Sequence, residues 1–295
     1  MSAAEAAAPE SARKLAWRRG FYRFRQSSLS VIGLAIVLAL LFIALFGSWL
    51  APYPEHIAGS INTAARFQPP SLAHPFGTNE LGQDVLSLVL GGARVSLLAG
   101  LAVVALGALT GIVIGAIAGY AGGWTDEVLM RISDLKLTVP GLILAMAVAA
   151  ALGPGIFNMI FAIALSWWPG YARLVRGEVI AKKEELFVIA ARAVGASPAR
   201  IVFRHILPNI MSPVIVKMSL DMGFAILTVA SLGFIGIGVK PPTPEWGSLL
   251  SIARGYMPDF WWTAIFPGLA IFAAVFGFNL LGDGLRDVFD PRAKR

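Results

Sequence analysis

No cysteine occurs among the 295 residues, histidine occurs three times, and Asp, Glu, Lys and Arg together make up only 14%. Each scarcity excludes something. Without cysteine there is no disulfide framework and no thiolate metal site. His56, His74 and His205 fall on separate loops without shared ligand spacing, which argues against a metal centre. An ordinary soluble domain carries about 25% charged residues, so a chain that is 57% hydrophobic cannot cover its apolar surface in water. No Ser–His–Asp set and no paired carboxylates suggest an enzyme, and no cofactor is implied. No Gly-x-x-x-x-Gly-Lys-Ser/Thr occurs, so the chain has no P-loop with which to bind ATP itself. The net charge of +7 is spread between apolar runs rather than gathered on one basic face, which speaks against nucleic acid as a partner.

What is abundant is uncharged apolar sequence, and it predicts an all-α protein integral to a lipid bilayer. Residues Leu29–Leu50 carry no charge, longer than the ~7–15 residues of a secretory h-region and near the ~20 that span hydrocarbon. They read as an uncleaved anchor. Val95–Ala121 is a second span, rich in Gly and Ala that let helices approach closely. Leu137–Ala172 is too long for one helix and is divided by Gly153-Pro154-Gly155, giving a third span from about Val128 and a fourth ending near Ala172. Asn209–Val239 and Phe260–Gly282 complete six transmembrane helices. Trp49, Trp167, Trp168, Trp261 and Trp262 stand at the expected span ends, as interfacial anchors do.

Lys and Arg set the orientation. Six precede Leu29, two lie between spans two and three, eight lie in Arg173–Lys217 and four follow the last span. Only Arg66, Arg94, Lys240 and Arg254 fall in the alternate loops, so both termini are expected in the cytoplasm. The chain then divides into a basic cytoplasmic tail (1–28), the first helix with an external loop (29–94), a five-helix core (95–290) and a cytoplasmic end (291–295). In the external loop Leu81, Val85 and Leu88 recur at helical spacing after Thr78-Asn79, predicting an interfacial helix that either caps the bundle or docks a partner.

The cytoplasmic loop 173–208 is built as helix, turn and helix. Lys183–Val194 carries an apolar stripe at Leu186, Ile189, Ala190 and Val194, and Gly195 follows where a helix ends in a left-handed residue. Ser197-Pro198 is an N-cap with proline at the first helical position, and the second short helix is expected to stop at Pro208. Glu185, Ile189, Ala190, Ala191, Gly195, Ser197, Leu207 and Pro208 are therefore the candidate functional residues. Such a loop either packs beneath the bundle or couples it to another protein.

Three motifs then point to a family. Ala190-Ala191, three residues, Gly195, nine residues and then His205-Ile206-Leu207-Pro208 resembles the EAA loop of ABC-importer permeases, with Ile189 in place of the family's glutamate and His205 in place of its isoleucine. The stretch from His74 to Val85 is similar to the His-Pro-Leu-Gly-Thr-Asp-Glu-Leu-Gly-Arg-Asp-Val of dipeptide/oligopeptide permeases, departing in charge at Asn79 and Gln83. Ser231–Gly238 followed by Pro241–Gly247 also resembles that subfamily, and the motif order that of its C-type subunit. The resemblance covers roughly Leu29 to Pro291. It implies a subunit coupling ATP hydrolysis by partners to uptake of peptides or similar small solutes in a bacterial inner membrane. The implied partners are a second homologous permease, two ATP-binding ATPase subunits that dock at the EAA loop, and an extracytoplasmic substrate-binding protein.

Other features stay open at this level. Gly233-Phe234-Ile235-Gly236-Ile237-Gly238 has dinucleotide-loop spacing but lies in an apolar span, where small residues serve helix packing. Lys217 and Asp221, four apart, form either an intrahelical pair or a proton or substrate relay. Arg131 and Asp134 form a similar candidate pair. Pro140, Pro169, Pro213 and Pro267 are hinges or static kinks.

Overall fold

A computed structural model describes Tyr22 and residues 24–289. The predicted cytoplasmic end at 291–295 and nearly all of the basic tail lie outside the described residues. Those residues form ten α-helices and no strand beyond a single Thr78–Asp84 bridge. They are α1 (Ser28–Leu50), α2 (Pro54–Ile57), α3 (Val85–Ala121), α4 (Gly123–Leu137), α5 (Gly141–Leu152), α6 (Ile156–Lys182), α7 (Leu186–Ala193), α8 (Pro198–Ile235), α9 (Trp246–Ala253) and α10 (Trp262–Phe289).

By length and composition α1, α3, α8 and α10 can each cross a membrane, and a fifth crossing is added if α4 and α5, bent by 87°, count as one broken span. That is fewer than the six read from sequence. The missing one is α6, whose apolar run gives way to Trp167, Trp168, Pro169, Gly170, Tyr171 and Arg173. It can be less apolar because much of it faces protein: Met159, Ala162, Ile163, Tyr171, Ala172, Val175 and Val179 are all buried.

Helix boundaries differ from expectation for identifiable reasons. α3 begins at Val85 rather than Val95, because the Asp84 carboxylate accepts the Ser87 N–H (2.8 Å) and caps it. The predicted interfacial helix is thus the first turns of α3, and Leu81 precedes it. Pro140, which has no N–H, bends the third span between α4 and α5. No breaker follows Ala172, so α6 runs on to Lys182. Trp167 and Trp168 consequently sit mid-helix, and Trp262 is buried with its Nε1 donating to the Thr78 carbonyl (3.0 Å); none of the three is an exposed interfacial anchor.

Pro208 does not end a helix. Residues Ile201–Ile206 are π-helical, with the Leu207 N–H donating to the Val202 carbonyl, and the wider turn admits the proline so that α8 continues to Ile235. Pro169, Pro213 and Pro267 likewise lie inside continuous helices.

Glycine sets the packing. On α3, Gly107, Gly111, Gly115 and Gly119 recur every fourth residue and face α6; a methyl group would lie 2.4 Å from Tyr171 Cβ at Gly111 and 2.4 Å from the Ala172 carbonyl at Gly115. On α1 the buried stripe is Ser30, Gly33, Val37, Leu40, Ala44 and Gly47, while Leu38, Phe42 and Leu45 are exposed, as on a helix turned partly to lipid.

One end of the bundle is closed by a loop knot. Tyr53 packs between His56 and His74 (centroids 5.2 and 4.8 Å). Asp84 donates its backbone N–H to His56 Nδ1 (2.9 Å), and its carboxylate holds His74 Nδ1 (3.0 Å). The two histidines that looked unrelated therefore meet at one residue, Asp84, yet among the described residues no group of three or more His, Asp or Glu is arranged to hold a metal.

Beside this knot Glu245 is fully buried and caps α9. Its oxygens accept the N–H groups of Gly247 and Ser248 (2.8 Å each) and the Ser96 hydroxyl (3.1 Å), while Trp246 Nε1 donates to the Val89 carbonyl (2.9 Å). A methyl at Gly233 would stand 2.3 Å from Glu245 Oε2, so that glycine serves close packing. Glu245→Ala orphans three buried donors and is expected to cost about 3 kcal/mol or more, read as a clear drop in the melting temperature of the detergent-solubilised protein. Burial raises the Glu245 carboxyl above its ordinary 4.5, against the opposing pull of its hydrogen bonds. The folded state then holds the proton more tightly than the unfolded one, a contribution complete below 4.5 and lost as pH rises through the folded value. The melting-temperature advantage of wild type over Glu245→Gln should shrink as pH is raised from 4.5.

Candidate functional site

At the opposite end α7 and the start of α8 form an elbow. α7 opens after Glu185, which stands at the N-cap without a capping side-chain bond and pairs instead with Lys182 (2.6 Å). It closes with the Gly195 N–H on the Arg192 carbonyl and the Ala196 N–H on the Ala191 carbonyl (3.0 Å each). This paired closure requires a left-handed residue, and Gly195 supplies it at φ 79°. Ser197 then accepts the Arg200 N–H (3.4 Å) and starts α8 with Pro198 in its first turn.

The elbow has two faces. Val188, Ala191, Ile201, Val202 and Ile206 are buried in one apolar core with Ala116 of α3 and Tyr171, Val175 and Val179 of α6, so the elbow is bolted to the helices above it. Ile189, Ala190 and Gly195 are exposed, and Leu186 and Val194 are 84% and 85% exposed. These two large apolar side chains stand open on a segment that also bears Lys182, Lys183, Arg192, Arg200 and Arg204. The candidates therefore divide. Glu185 to Ser197 form the elbow, Ala191 turned inward and Ile189, Ala190 and Gly195 outward. Leu207 packs half-buried on α8, and Pro208 is exposed within that helix rather than at its end.

Ion pairs tie the helices above the elbow together. Arg176 holds Asp126 by two bonds (2.5 and 2.6 Å), joining α6 to α4. Asp134 pairs with Arg173 across that same junction rather than with Arg131 as its spacing suggested. Lys217 and Asp221 do pair along α8 (3.0 Å), with the Lys217 ammonium also over the Tyr171 ring. An ionised group facing lipid at mid-bilayer costs about 2.5–3.5 kcal/mol on insertion scales, so these groups need partners or water. The pairs between helices have no signature in linear spacing; they appear only once α4 lies against α6.

Residues 111–295 match the family described as the binding-protein-dependent transport system inner membrane component. The chain belongs to this family. Residues 14–70 of the permease further match the N-terminal TM domain of oligopeptide transport permease C. The permease is 44% identical over 280 residues to the probable D,D-dipeptide transport system permease protein DdpC of Escherichia coli (strain K12), covering 95% of this chain and 91% of the relative. It is 42% identical to the dipeptide transport system permease protein DppC of Alkalihalophilus pseudofirmus, covering 94% and 90%. It is 44% identical to the glutathione transport system permease protein GsiD of Escherichia coli O6:K15:H31, covering 94% and 91%. Its fold is similar to a chain of the MetNI methionine ABC transporter solved in inward-facing conformations, with a TM-score of 0.56, 17% identity, and coverage of 69% of this permease and 97% of that chain. The relatives are membrane permease components rather than enzymes, and the elbow lies within the family match.

Proposed function

We propose that the permease is the translocation-pathway subunit of an ATP-driven importer for peptides or similar small solutes. It would work with a second homologous permease, two ATPase subunits and an extracytoplasmic binding protein, in a bacterial inner membrane. Six crossings are made by α1, α3, the α4–α5 pair, α6, α8 and α10; α6, with 27 residues, is about 40 Å long and reaches across a ~30 Å hydrocarbon layer. With 20 of the 24 Lys and Arg on one side, both termini and the elbow are assigned to the cytoplasm and the loop knot to the exterior.

The observation that carries this reading is the elbow: an exposed apolar knob whose inner face is packed into α3, α6 and α8. An ATPase gripping the knob would move those helices together. The relatives' names, for dipeptide, D,D-dipeptide and glutathione transport, support a peptide-like solute. The test is reconstitution of the chain purified with its associated proteins. Labelled dipeptide should enter proteoliposomes only with ATP on the elbow side, and ionophores should leave uptake unchanged. Uptake by the chain alone, driven by an ion gradient, would overturn the assignment in favour of a secondary transporter.

A further inference from the structure

Polarity and membrane depth conflict along one face of α6. Ser166, Gly170, Arg173 and Gly177 recur at i, i+4, i+7 and i+11 and form a single stripe. Three charged side chains from α4 and α8 end on it. Lys136 donates to the Ser166 carbonyl. The Lys217 side chain lies 3.6 Å from where a methyl at Gly170 would stand. Asp134 holds Arg173, and both partners of that pair are half exposed, at 50% and 51%.

The depth is fixed by helix length. Ser166 lies about 15 Å and Arg173 about 25 Å along α6 from Ile156, within a hydrocarbon layer about 30 Å thick. The Thr138-Val139-Pro140 break lies at a comparable depth, about 18 Å from the far end of α5. All three of its residues are exposed, and no side chain caps the start of α5. Broken backbone and half-exposed charge are not tolerated against lipid; they are found where protein or water meets them. Dry protein is a poor match for the stripe, because a methyl group at Gly170, about 21 Å along α6, would meet only the charged Lys217 side chain within 4 Å.

We propose that this stripe and the α4–α5 break line the water-filled solute pathway, and that its surplus of positive charge draws solutes through a carboxylate group. The inference rests on the importer reading above. Lys136, Arg173 and Lys217 face Asp134 and Asp221, three cations against two anions. A passing carboxylate can borrow Arg173 from Asp134, because that pair is open to solvent rather than sealed.

The absence of native cysteine makes the test direct. Thr138→Cys and Gly170→Cys are compared with Leu38→Cys and Leu109→Cys, which are exposed apolar positions on α1 and α3. Each variant is assembled with its copurifying partners in vesicles and treated with anionic sulfonatoethyl or cationic trimethylammonioethyl methanethiosulfonate. The pathway positions should react about tenfold faster than the controls, since the thiolate forms in water. At Gly170→Cys the anionic reagent should gain severalfold over the cationic one, relative to a free thiol in solution. Arg173→Gln should raise the KM for a dipeptide about fivefold while leaving that for its C-terminal amide unchanged. Labelling no faster than the controls, or equal effects on acid and amide, overturns the inference. If the same preparations keep ATPase subunits and peptide-stimulated ATP hydrolysis, the importer reading survives that failure; if the unsubstituted chain captures no ATPase, the importer reading itself falls.

Discussion

Gly195→Glu is expected to abolish ATP-driven uptake while leaving the helix bundle folded. The backbone there sits at φ 79°, where a residue with a Cβ costs about 1–2 kcal/mol, and no atom lies within 4 Å of an added Cβ. The fold can absorb that. On the docking role proposed for the elbow the partner cannot, because the new carboxylate enters an exposed apolar patch shared with Leu186, Ile189 and Val194. An unpaired charge buried in an interface costs about 3 kcal/mol or more, which corresponds to an affinity loss of about 100-fold or more. Uptake should fall to background and ATPase subunits should no longer copurify, with the melting temperature shifted by only a few degrees. Gly195→Ala carries the same backbone cost without the charge and should retain most of the coupling. Full transport by the Glu variant, or equal loss in both, would remove the elbow from the coupling role.

The second large effect is expected from Gly115→Leu. Its Cβ alone would stand 2.4 Å from the Ala172 carbonyl, and backbone cannot swing aside as a side chain can. Relief requires α3 and α6 to separate, which unpacks Tyr171, Val175 and Val179 from the core that anchors the elbow. Overpacking commonly costs about 1–3 kcal/mol, and here the obstacle is main chain, so the top of that range or beyond is expected. The variant should aggregate on detergent extraction. Leu109→Val, on an exposed position of the same helix, should extract and melt like the parent. A monodisperse Gly115→Leu protein would mean that α3 and α6 are not held at this distance.

How much of this was legible in the sequence depends on whether the signal was local. The elbow turn was, because Gly195 and Ser197-Pro198 act on their own neighbours. The first span was too, since a run uncharged from Leu29 to Leu50 needs no context. Arg94 misled: a charge read as the end of a loop is an exposed residue on a helix already three turns long. Pro208 misled in the opposite sense, because a π-helical segment, which no composition rule announces, makes room for it. The meeting of His56, His74 and Asp84, and the exchange of Arg131 for Arg173 as partner of Asp134, depend on tertiary placement and have no linear trace. The α6 stripe did have one. Ser166, Gly170, Arg173 and Gly177 keep helical spacing, but they straddle Ala172, where the fourth span was expected to stop.

The unbroken course of α8 has a mechanical corollary. From Pro198 at the elbow to Ile235, its 38 residues make a continuous strut about 57 Å long, whose π-helical turn at Ile201–Ile206, Pro208 and Pro213 all lie toward the elbow. Rocking such a strut by about 10° about one end sweeps the other through about 10 Å, comparable to the width of a helix. On the proposed importer reading, a nudge of modest angle on the elbow would thereby be geared up into an aperture at the far side.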